Sequence, residues 1–261
     1  MANLGDGNPQ PPPSVDADPL AAELSSSGPD DLLKLLAHSS LNESQLLLLL
    51  ERKDLSGAVL EEIGRHRDWF RGYRVRRALA FHPHIPRILA AGLLRDLYLV
   101  DLVKLSLAPV AVADLRHLAE NLIVSRLGQV TLGEKITLAK RASPRVLAAL
   151  IAEGVPRLFE PALRNPRLTE AQVLKLLAND RLHERVVVAI ASHPRWESLP
   201  NIQLALLRHP RISVDLANKI LPRVTVADLR TLLGVKTLPA KLREEIDGEL
   251  RKRESPNKKK I

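Results

Sequence analysis

Phe81-His82-Pro83-His84-Ile85, Arg164-Asn165-Pro166-Arg167-Leu168, Ser192-His193-Pro194-Arg195-Trp196 and Arg208-His209-Pro210-Arg211-Ile212 are four versions of one phrase. Each follows an apolar run of helical period and precedes another. Proline disfavours the α conformation in the residue before it, so each phrase reads as the close of one helix and the approach to the next. Self-similarity of this kind is the signature of a stacked repeat array, whose units bury their apolar faces against their neighbours.

Working outward, Leu32-Leu33-Lys34-Leu35-Leu36, Leu46–Leu50 and Val173-Leu174-Lys175-Leu176-Leu177 keep the same 3.6-residue period. No sustained period-2 run rich in β-branched residues appears, so the chain reads as all-α. Aromatics make up only 3% of residues against 45% hydrophobic, which predicts a core of Leu, Ala, Val and Ile. Asn42, Asp68, Ser198 and Ser213 stand where N-caps would open helices. The apolar residues that close successive turns are Leu41, Ile85, Val130, Leu168 and Ile212, spaced by 44, 45, 38 and 44 residues. That spacing predicts about three short helices per unit of roughly 40 to 45 residues.

With that unit length and phrases such as Val75-Arg76-Arg77-Ala78-Leu79-Ala80-Phe81-His82-Pro83, the sequence resembles HEAT-like α-solenoids and the bacterial leucine-rich-repeat-variant type. The resemblance implies a right-handed α-solenoid of short stacked helices in the HEAT/armadillo manner, expected over residues 31–253. Residues 1–30 read as a disordered acidic arm rich in Pro and Ser, and residues 254–261 as a basic tail. Such solenoids serve many binding tasks and a few enzymatic ones, so the resemblance specifies architecture rather than function.

The chain has no cysteine, which excludes disulfides and thiolate metal sites and fits a reducing, cytoplasmic setting. Iron–sulfur modules associated with the bacterial repeat type need cysteines, and no cofactor is expected. The first 31 residues hold no Lys or Arg, so no signal-peptide n-region is expected there. No apolar run approaches the roughly 20 residues of a membrane span. Those 31 residues do hold six acids, which raises the net charge of residues 32–261 from the overall +9 to +15. A basic body attracts acidic proteins or nucleic acid. The alternative is that arginine stems simply cover apolar surface.

The chemistry-bearing patterns are few. His82 and His84 form the closest histidine pair, but Asn165 replaces His82, His193 and His209 in the repeat. Asn can hold a helix end or a backbone group and is a poor zinc ligand, so these read as turn residues and no metal is expected. Leu127–Lys135 carries only Gly128 and Gly133 and lacks a P-loop ending; it reads as a turn with a helix begun near Leu132. No nucleophile-elbow serine occurs, and the protein is not expected to be an enzyme.

One segment stands apart. Between Arg65 and Arg77, six arginines surround Trp69, Phe70 and Tyr73, three of the chain's seven aromatics. Arginine supplies forked hydrogen bonds, and aromatic faces stack bases or guanidinium groups. Arg67, Trp69, Arg71, Tyr73, Arg74, Arg76 and Arg77 are the candidate binding residues. The plainer alternative is that Asp68 caps the helix, the rings pack and the arginines are solvated. The leading expectation is a non-enzymatic scaffold for a protein or peptide partner of acidic character. Nucleic-acid binding through the basic body is the alternative. HEAT-like DNA glycosylases make a distant third, because their catalytic residues do not map onto this chain.

Overall fold

The computed structural model describes residues 19–38, 40–69, 71–109, 113–235 and 238–254. Among them every regular element is helical. The chain divides into two compact units. The first comprises residues up to Asp101 with 109–115; the second comprises 102–108 with residues from Arg116 onward.

In the first unit, α1 (Pro19–Ser26), α2 (Pro29–His38), α3 (Glu43–Glu51), α4 (Gly57–Arg65), α5 (Tyr73–Ala80) and α6 (Arg87–Leu94) follow in order. Helix α1 packs on α3, α3 on α5, and α2 on α4. Helices α7 (Leu99–Leu107) and α8 (Ala113–Arg126) carry the chain onward. The second unit holds α9 (Leu132–Ala139), α10 (Pro144–Ala152), α11 (Pro156–Leu163), α12 (Glu170–Leu177), α13 (Glu184–Ala191), α14 (Pro200–Arg208), α15 (Val214–Ile220), α16 (Val226–Leu233) and α17 (Ala240–Glu254). Here α9, α11 and α13 form one packed row, and α10, α12, α14 and α16 form another. In each of these rows a helix meets the helix two further along the chain, which is the packing of stacked hairpins.

The structural unit is accordingly a pair of helices. Successive odd helices start at 132, 156, 184 and 214, and even ones at 144, 170, 200 and 226. Each unit is thus between 24 and 30 residues long, shorter than the expected three-helix unit. The reason lies in the phrase itself. It closes the odd-numbered helices α5, α11 and α13, yet at His209 it closes the even-numbered α14. A spacing measured from Leu168 to Ile212 crosses from one row to the other and spans one and a half units.

The N-terminal arm also begins differently. Residues 1–18 lie outside the described residues, but from Pro19 the chain is helical, and Leu24 on α1 is fully buried. Arg52 locks α1 in place by donating to Leu24 O and Ser27 O, both at 2.9 Å. At the other end Glu254 closes α17, and the rest of the expected tail lies outside the described residues.

The core is aliphatic as composition demanded, with Trp196 and Phe159 its buried rings. Helix starts follow capping chemistry. Asn42 forms a full capping box with Gln45, Thr131 does so with Glu134, and Ser213 caps α15. Glu134 is held below the usual carboxylate range by those Thr131 contacts. Asp68 and Ser198 are not caps: Gly72 precedes α5 and Leu199 precedes α14.

Candidate interaction surfaces

The repeated phrase works as a joint between helices of the same row. A helix C-terminus leaves carbonyls without intrahelical donors and carries the negative end of the helix dipole. In this protein the helix two further on supplies the donors. After α5, His82 Nε2 lies 2.7 Å from Arg52 O at the end of α3, and His82 Nδ1 accepts the His84 N–H at 3.3 Å. After α11, Asn165 Nδ2 donates to Ala139 O at 2.7 Å, and its Oδ1 accepts the Arg167 N–H at 2.9 Å. After α14, His209 Nε2 lies 3.2 Å from Asn179 O, and Nδ1 accepts the Arg211 N–H at 3.2 Å. His and Asn are interchangeable because each presents one acceptor and one donor in the same directions.

Arginines repeat the device. Arg195 donates to Asn165 O at 2.7 Å and Leu168 O at 2.8 Å, beside the Trp196 indole that donates to Leu163 O. Arg253 on α17 grips Val224 O and Leu221 O past the end of α15. A guanidinium fork suits two carbonyls at once, and its charge complements the helix end. Part of the basic excess therefore holds the fold together.

The arginine-rich segment after α4 divides in the same way. Tyr73, at the start of α5, donates its hydroxyl to the buried Asp101 at 2.5 Å and accepts the Tyr98 N–H at 3.1 Å. Burial, then the Asp101 contact, pushes the Tyr73 phenol above its ordinary value. The Tyr73 and Tyr98 rings stack with centroids 4.1 Å apart. Arg77 donates to the other Asp101 oxygen at 3.0 Å, Arg76 lies 3.7 Å from Asp96, and Arg71 lies 2.7 Å from Asp68. Trp69 is half-buried and stacks on His66 at 4.1 Å. Among the described residues, Arg67 and Arg74 are exposed and meet no acidic partner. The seven candidates are thus not one face: Tyr73, Arg76 and Arg77 brace α5 against the start of α7, while Arg67 and Arg74 face solvent. Phe70 lies outside the described residues.

A second surface belongs to the even row of the second unit. A groove of about 630 Å³ runs between α8, α10 and α12 over Ala148, Ala149, Ala152 and Leu176. A neighbouring groove of about 390 Å³ runs between α12 and α14 over Leu174, Ala178, Leu204 and Ala205. Arg145, Lys175 and Arg208 line these grooves, all exposed and without an acidic partner among the described residues. Glu120, nearly buried in the first groove, pairs with His117 at 3.2 Å. Sequence reading passed over these three cations because they are scattered singly along the chain; only the pairing of alternate helices gathers them.

No group of three or more His, Asp or Glu side chains arranged to hold a metal occurs among the described residues. No described helix is long and apolar enough to cross a membrane. No protein-family model, curated protein or solved structure matches this chain.

Proposed function

We propose that each unit is a segment of right-handed α-solenoid in the HEAT/armadillo manner and that the protein is a non-enzymatic scaffold acting in the cytoplasm. Its partner is an acidic protein segment that lies along the even row of the second unit. One observation carries this reading: Arg145, Lys175 and Arg208 stand on neighbouring helices around a floor of small apolar side chains, without an acidic partner among the described residues. The floor gives contact area, and the cations select acidic chains by steering and rim pairing. The arginines of the joints, by contrast, already donate to carbonyls and are not free for a ligand.

Nucleic-acid binding is the second reading, favoured by Arg67 and Arg74 lying unpaired near the Trp69–His66 stack. One experiment separates the two. Tagged wild-type protein and the variant Arg145→Glu/Lys175→Glu/Arg208→Glu capture partners from native lysate, with and without nuclease. A protein that survives nuclease and is lost from a variant with an unchanged helical spectrum supports the scaffold. Capture that ignores the triple change, or vanishes with nuclease and with Arg67→Glu/Arg74→Glu, overturns it. Phosphate-driven capture also falls steeply with salt, because released counterions drive it.

A further inference from the structure

The joints differ in one chemical respect: an imidazole titrates near neutral pH and an amide does not. The hydrogen bonds fix the proton in each ring. A backbone N–H can only donate, so His82 Nδ1, facing the His84 N–H, carries no proton, and Nε2 holds the hydrogen given to Arg52 O. His209 has the same two contacts, with the Arg211 N–H and Asn179 O. A second proton must go to Nδ1. At His82 it would set two N–H groups against each other at 3.3 Å. The charge would also sit on a nearly buried ring, 3% exposed.

Among the described residues no free counter-charge waits beside His82. Lys53 and His84 oppose the added charge, and Asp54 favours it. Asp54, however, is already held by the Arg52 guanidinium at 2.7 and 3.1 Å. Around His209 stand Asp180 and Arg208 in the groove and Arg211 in its own turn. His193 differs, because Glu160 lies 3.9 Å from its Nε2 and Arg164 and Arg195 lie near. His84 differs too: its Nδ1 faces Leu55 O at 3.1 Å and is the donor.

We propose that His82 makes the α3–α5 joint acid-labile, so that this joint opens as pH falls below neutrality while the Asn165 joint between α9 and α11 holds. The opened joint frees the carbonyls at the end of α3 and loosens the stack locally.

Burial keeps His82 below the ordinary histidine value, in line with this geometry. Since the open joint binds the proton more readily, closure is fully favoured above the open-state value of about 6.5. It weakens as pH drops from there toward the closed-state value.

Amide hydrogen exchange resolved at His84 and Arg167 tests the proposal between about pH 8 and pH 5.5. Each of these amides donates to the joint residue two positions before it. The protection factor at His84 is expected to fall by up to about tenfold per pH unit below about 6.5, with Arg167 flat. His82→Asn copies the chain's own Asn165 and should abolish the fall at its own joint. Asn165→His should create one at Arg167, and it tests the idea even if the other variant fails to fold. Equal pH slopes at both amides in wild type, or an unchanged slope at Arg167 in Asn165→His, overturn the proposal.

Discussion

At the scale of single residues, the chain uses side chains to finish helices that its backbone leaves open. Arg195 shows what the chemistry requires. Its two terminal nitrogens reach two carbonyls of the preceding unit, and its guanidinium lies 4.3 Å from the Trp196 ring centroid. Lysine keeps the charge but has neither the planar fork nor the stacking face. Arg195→Lys is therefore expected to lower stability by about 1–2 kcal/mol, read as a shift in the denaturant midpoint with an unchanged slope. An unshifted midpoint would mean that charge alone matters at the helix end. The interchange of His and Asn in the phrase was legible in the sequence as a backbone contact. The partner carbonyls were not, because they lie 26 to 30 residues away and no local pattern marks them.

At the scale of elements, α5 and the start of α7 are joined by one polar knot. Tyr73 and Arg77 converge on Asp101, which is 5% exposed, and the Tyr98 N–H donates to the Tyr73 hydroxyl. Tyr73→Phe removes one donor to a buried carboxylate and leaves the Tyr98 N–H without its acceptor. A loss of about 1–3 kcal/mol is expected, with faster amide exchange at Tyr98. A neutral substitution would show that water replaces the hydroxyl. Helix ends were readable because proline, Asn42 and Ser213 act on their own neighbours. The length of the unit was not, since one phrase closes helices of both rows and sequence carries no label for the row. The arginine cluster misleads for a related reason: composition shows six cations, whereas Asp68, Asp96 and Asp101 that hold three of them are scattered over more than thirty residues.

At the scale of the whole molecule, helices that meet only near neighbours make stability a sum of local terms rather than one global one. Helix α17 ends the second unit, with Leu242, Ile246 and Leu250 buried and Arg253 reaching back to Leu221 O and Val224 O. Removing that grip with Arg253→Gln takes two charge-assisted bonds from the last joint and leaves the joints before it untouched. Amide exchange is expected to quicken in α15, α16 and α17 while α10 and α12 keep their protection. Uniform loss of protection through the second unit would instead show that its helices unfold as one. A graded loss means that a ligand seated on α10, α12 and α14 stabilises chiefly the joints it covers.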